Sequence, residues 1–79
     1  MSNENKYKDI FIKSLAIDDK KFNENILYND IPEWDSIGHM TLISGLEEEF
    51  KITMDTDDIV DFGSFKKGFE ILSKYGIKF

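Results

Sequence analysis

The sequence contains no cysteine. Disulfide staples, thiolate metal sites and any thiol chemistry of the chain's own are thereby excluded. No apolar run approaches the roughly 18 residues of a membrane span. The opening stretch MSNENKYKD is polar and lacks the apolar segment of a secretory signal, so a cytoplasmic location is expected. His39 is the only histidine. Length sets a further limit: 79 residues make one domain, spanning 1–79. A domain of this size buries only roughly 60% of the surface its unfolded chain exposes, which leaves little room for a large catalytic cavity. What is present is apolar material for a core: 41% of the residues are hydrophobic, seven of them Phe.

The net charge of −6 is unevenly placed. Lysines and acids cancel over residues 1 to 29. Residues 30 to 61 hold ten acids against Lys51 alone, and residues 62 to 79 carry four lysines against Glu70. An acidic field in the middle of the chain repels nucleic-acid phosphates and attracts basic protein surfaces. Solubility alone would also account for it.

Tyr7, Ile10, Phe11, Ser14 and Leu15 follow the i, i+3, i+4, i+7 spacing of one helical face. Asn3 or Asn5 is the expected cap, and the helix should run to about Ala16. Residues 18 to 34 read as a long loop pinned to the core by Phe22, Ile26, Leu27, Ile31 and Trp34. Unstructured connections of this length are uncommon and usually functional. Asp35 caps a second helix over 37–50, with Met40, Ile43, Leu46 and Phe50 on one face and Leu42 beside it. KITMD reads as an extended linker that buries Ile52 and Met54. Thr56 is expected to cap a short helix. Ser64 should cap a last one from Phe65 to about Tyr75, stopped by Gly76. Gly68, on or beside the inner face of that helix, points to a close helix approach. The expected fold is an all-α four-helix bundle, with three longer helices, one short one and a long first loop.

Ser36 and His39 lie one turn apart, yet no buried acid orients the imidazole and no oxyanion hole is evident. An exposed helical histidine is the expectation. DTDDIVDFGSFK has calcium-loop acids at its first and third positions, but Val60 replaces the turn glycine and Lys66 the closing glutamate. Gly63 and Gly68 have phosphate-loop spacing, but Phe69 and Glu70 follow them. The triplet Asp35-Ser36-Ile37 has a better physical basis. A serine opening a helix faces unpaired N–H groups and a dipole that favours a negative group by roughly 0.3–1 kcal/mol. Asp35 can cap Ile37 or Gly38 for about 1 kcal/mol. A phosphate ester on Ser36 would be welcome there.

Taken with its context, WDSIGHMTLISGLEEEF resembles the modification-site helix of acyl carrier proteins. In that family an Asp-Ser-Leu triplet opens the second helix and ALEEEF-like residues close it. Asp35-Ser36-Ile37 matches the triplet with Ile for Leu, and Leu46 to Phe50 match the close unchanged. The likeness extends over nearly the whole chain.

The resemblance implies a carrier, not an enzyme. Ser36 would hold phosphopantetheine through a phosphodiester, placed there from coenzyme A by a phosphopantetheinyl transferase, with Asp35 capping beside it. Acyl or aminoacyl groups would ride as thioesters to loading and transferring enzymes with basic docking patches. Ile37, Met40, Glu47 and Glu48 would form much of the docking surface, and a monomer is expected. Gly38 and Thr41 stand where housekeeping fatty-acid carriers usually have acids, and Trp34 with GHM is similar to carriers of specialised pathways. From the residues alone a second reading stays open: an unmodified acidic helical adaptor for basic partners.

Overall fold

A computed structural model describes residues 2–79 of the chain. They form four helices and no strand: α1 (Asn3–Leu15), α2 (Ser36–Phe50), α3 (Thr56–Asp61) and α4 (Phe65–Lys74). The all-helical bundle, with one short helix and a long first loop, is the fold that the periodicity predicts.

The cap of α1 is Ser2, whose hydroxyl accepts the Asn5 N–H at 3.2 Å. Asn3 and Asn5 both lie inside the helix, and the Asn3 amide donates instead to the Lys78 carbonyl at 2.8 Å, tying the two chain ends together. The helix closes at Leu15, one residue earlier than expected, with Ala16 in the left-handed region. In the loop that follows, Ile26 and Trp34 are buried, while Phe22 and Ile31 are half-buried. Leu27 departs from the expected pinning and is 53% exposed. Its backbone does the pinning instead, through an isolated antiparallel bridge to Ser64. Beside that bridge the Tyr28 N–H donates to the Gly63 carbonyl at 2.9 Å and the Phe65 N–H to the Ile26 carbonyl at 3.1 Å. A stretch without helix or sheet is thus held to the rest of the fold through its backbone.

Leu42, Ile43 and Leu46 are the buried residues of α2. Met40 is 52% exposed, so the expected face of Met40, Ile43, Leu46 and Phe50 is rotated from the true one. At about 100° per residue, Met40 lies roughly 110° from the centre of the buried stripe, whereas His39 falls within it. His39, Leu42, Ile43 and Leu46 are themselves an i, i+3, i+4, i+7 series. The linker after α2 buries Met54 and half-buries Ile52, as predicted.

Thr56 is the first residue of α3, not its cap. Asp55 occupies the cap position and makes no side-chain cap bond. Its N–H donates to the Tyr75 hydroxyl at 2.9 Å. A six-residue helix has little stability of its own, and α3 is held by side chains. Asp58 accepts from Lys74 Nζ at 2.5 Å and from the Tyr75 hydroxyl at 2.6 Å. Those two hydrogen bonds, Lys74 first, hold the Asp58 carboxyl below the usual aspartate range. The clamp is therefore fully formed above about pH 4, the ordinary aspartate value, and weakens as pH falls through the lower folded one.

Ser64 caps α4 by accepting the Lys67 N–H at 2.9 Å. Phe65, Ile71 and Leu72 face the core, and Gly76 at φ 90° makes the expected stop. The seam between α1 and α4 is aromatic. Tyr7 is fully buried, stacks on Phe65 at 4.6 Å and meets Phe11, Phe62 and Phe69 edge-on. Its hydroxyl donates to the Phe65 carbonyl at 2.8 Å, and burial raises the phenol pKa well above its ordinary value. Gly68 makes the seam possible. A Cβ there would collide with the Tyr7 hydroxyl and lie 2.6 Å from Phe62 Cζ.

Candidate functional site at the mouth of the second helix

Ser36 is the first residue of α2 and is exposed. Asp35 precedes it in extended conformation, and its Oδ1 accepts the Gly38 N–H at 2.8 Å. The Asp35 carbonyl takes the His39 N–H at 2.8 Å. The sequence placed both residues and the cap correctly, because a cap is written in a few consecutive residues.

His39 does not stand exposed. It is half-buried, and both ring nitrogens are engaged. The Trp34 indole N–H donates to Nδ1 at 2.9 Å, and Nε2 lies 2.8 Å from the Ile59 carbonyl. An indole N–H can only donate, so Nδ1 must accept, and the proton resides on Nε2, which donates to Ile59. This relay ties the end of the first loop, through α2, to α3. It also removes His39 as a base for Ser36, whose hydroxyl pairs instead with the Tyr28 hydroxyl at 3.1 Å.

Gly38 has a steric role. A Cβ there would collide with the Glu33 carbonyl oxygen and approach Leu15 Cδ2 to 3.2 Å. The last turn of the loop lies directly against the first turn of α2, so an acid at this position would not fit without moving backbone.

Beside Ser36 lies an open cleft of about 360 Å³, walled by Tyr28, His39, Met40, Ile59, Val60, Phe62 and Gly63. Its rim is apolar and uncovered: Val60 is 79% exposed and Met40 more than half exposed. Ile37, next to Ser36 in the chain but not in the cleft lining, is also 79% exposed. A wider depression of about 510 Å³ runs along α1 past Asn5, Lys8, Asp9, Ile12 and Asp19. It is polar, lies among other residues than Ser36, and gathers no reactive group.

The two glutamates expected to dock partners differ. Glu47 is half-buried, and its Oε2 accepts the Met54 N–H at 2.8 Å, capping the linker after α2. Glu48 is exposed. Other acids of the central segment are also engaged within the chain: Asp30 with the Leu27 N–H, Glu33 with Lys21, Glu49 with Lys6 and Asp58 with Lys74. The Lys21 ammonium beside Glu33 lowers that carboxyl's pKa. Much of the acidity legible in the sequence is thus spent on local structure.

No protein-family model matches the chain, and no curated protein or solved structure matches it. Chemically, the site offers an exposed hydroxyl at a helix start, beside an apolar cleft, with the neighbouring histidine committed elsewhere. Tyr28 was missed by sequence reasoning. A tyrosine eight residues upstream in an irregular loop leaves no periodic signal.

Proposed function

We propose that this chain is a carrier protein of the acyl-carrier type, with Ser36 as the attachment point for phosphopantetheine. The observation that carries the reading is the placement of Ser36. Its hydroxyl is exposed at the first position of a 15-residue helix, with Asp35 as the cap. Such a hydroxyl is of little use to an enzyme but well suited to being modified by one. The helix start favours the negative charge that a phosphodiester would bring.

In attachment, Ser36 Oγ forms a bond to the pantetheine-side phosphorus of coenzyme A. The pyrophosphate bond breaks, the adenosine bisphosphate half leaves, and the serine proton passes to a base on the transferase. Bound there, the group supplies a terminal thiol that holds acyl or aminoacyl cargo as a thioester. The chain's own residues present that position. Asp35 fixes the first turn, Gly38 lets the loop lie against it, and Ile37, Met40 and Glu48 offer an apolar rim with an acid for basic docking patches. Glu47 contributes at its flank while capping the linker.

The test is intact mass. Incubated with coenzyme A and a broad-specificity transferase, the wild type should gain one phosphopantetheine. Ser36→Ala should gain none while keeping its helical circular dichroism. A wild type that stays unmodified would leave the acidic adaptor as the better reading. Modification of the Ala variant would move the site elsewhere.

A further inference from the structure

The Tyr28 hydroxyl has a single hydrogen-bond partner, Ser36 Oγ, at 3.1 Å. Its ring is set in place on two sides. It meets Trp34 edge-on at 5.9 Å and His39 at 5.4 Å, and those two rings are joined by the bond from the indole N–H to Nδ1. Its backbone N–H is bound to the Gly63 carbonyl. The hydroxyl is therefore presented by a rigid frame, although it sits on a loop.

The chemistry of the cleft gives this hydroxyl a distinct place. His39 has both nitrogens committed, and Met40, Ile59, Val60 and Phe62 carry no side-chain donor. No lysine lines the cleft. In the first turn of α2, the N–H groups of Gly38 and His39 are already taken by Asp35. Tyr28 is thus the one side chain of the lining, other than Ser36 itself, with a donor to offer. While Ser36 is a free alcohol, either oxygen can donate. Once Oγ is esterified it has no proton, so Tyr28 must be the donor, to Oγ or to an oxygen bonded to the same phosphorus.

We propose that Tyr28 is a positioning residue for Ser36: its hydroxyl holds Oγ in one orientation before attachment and donates to the phosphodiester afterwards. This rests on the carrier reading. Tyr28→Phe isolates the hydroxyl, because it keeps the ring and its edge contacts. With coenzyme A and the transferase, the Phe variant should show a kcat lower by about twofold to tenfold, the worth of one neutral hydrogen bond. Its KM for the carrier should be unchanged, because the exposed rim of Ile37 and Met40 is untouched. The phosphorus NMR resonance of the modified Phe variant should be displaced from that of the modified wild type. In the unmodified wild type, the three-bond Hα–Hβ couplings of Ser36 should report one χ1 rotamer. Rotamer averaging there would overturn the proposal without any variant. Equal kcat and an unmoved phosphorus resonance would also overturn it, as would a rise in KM alone. If the wild type itself gains no mass, the carrier reading fails, and this proposal falls with it. If the wild type is modified and Tyr28→Phe behaves identically, only the role of Tyr28 is lost.

Discussion

The aromatic seam between α1 and α4 and the mouth of α2 are built with the same device and differ in what they leave uncovered. In the seam, a fully buried Tyr7 donates to the Phe65 carbonyl. At the mouth, a fully buried Trp34 donates to His39, which is itself bound to the Ile59 carbonyl. Each bond satisfies a buried polar atom and so fixes one arrangement of the rings around it. Around Tyr7 that arrangement is closed by further phenylalanines. Around Trp34 and His39 it ends in an open rim of Met40 and Val60. The exposed apolar surface at the mouth therefore rests on a rigid base and is no sign of a failing core. Rigid support beneath an uncovered apolar patch is what a docking surface needs.

The strongest way to break the comparison is to overfill the closed region. Gly68→Ala adds a methyl where the Tyr7 hydroxyl and Phe62 already stand. Tyr7 cannot retreat without losing its bond to Phe65. Overpacking of this kind typically costs about 1–3 kcal/mol, against a gain of about 1 kcal/mol in helix propensity. Three buried side-chain atoms stand within 3.0 Å of that Cβ, so the cost falls at the upper end of the range, about 3 kcal/mol, and the net loss is about 2 kcal/mol, read as a lowered urea midpoint with an unchanged slope. A raised midpoint would mean that the seam is looser than its geometry implies.

The open region should respond more locally. His39→Ala removes the acceptor of a buried indole N–H and the donor to Ile59. The orphaned Trp34 group alone costs about 1–3 kcal/mol. Because the lost bond to Ile59 is a tie to α3, amide exchange in α3 should accelerate more than in α1. Equal acceleration in both helices would show the relay to be a general core element.

The reach of sequence reasoning follows the range of the interactions. The caps at Asp35 and Ser64, the stop at Gly76 and the burial of Met54 were legible, because each is written within a few residues. Gly68 was legible as a rule broken inside a helix. The cap at Ser2 was missed because Ser2, Asn3 and Asn5 can all cap, and nothing in the local sequence separates them. The stripe of α2 was misplaced because Met40 looked more like core than His39 did. Counting His39 into the i, i+3, i+4, i+7 series would have corrected it. The engagement of His39 with Ile59 and the close approach of Gly38 to Glu33 needed tertiary structure. So did the pairing of Tyr28 with Ser36.

The smallest effect, and the one that bears most on docking, separates two neighbouring acids. Sequence likeness gives Glu47 and Glu48 one role, whereas in the fold one is a capping acceptor and the other is open. Glu47→Ala leaves the Met54 N–H without its acceptor and should cost about 1 kcal/mol, the usual worth of a hydrogen bond. Glu48→Ala removes no side-chain hydrogen bond or ion pair among the described residues and should stay within about 0.5 kcal/mol of wild type. Function should divide the other way. If the proposed carrier reading holds and Glu48 meets a basic patch, its removal should slow acyl loading by a partner enzyme at low salt. Exposed charges are screened beyond roughly 8–10 Å at physiological ionic strength, and steering mainly affects encounter. The difference between Glu48→Ala and wild type should therefore shrink as salt rises. The loss from Glu47→Ala should persist, since it comes from a half-buried bond. Urea midpoints and salt-dependent loading rates on both variants decide the matter. A Glu48→Ala variant that loads at the wild-type rate at every salt concentration would remove Glu48 from the proposed docking surface and leave the exposed apolar side chains of Ile37, Met40 and Val60.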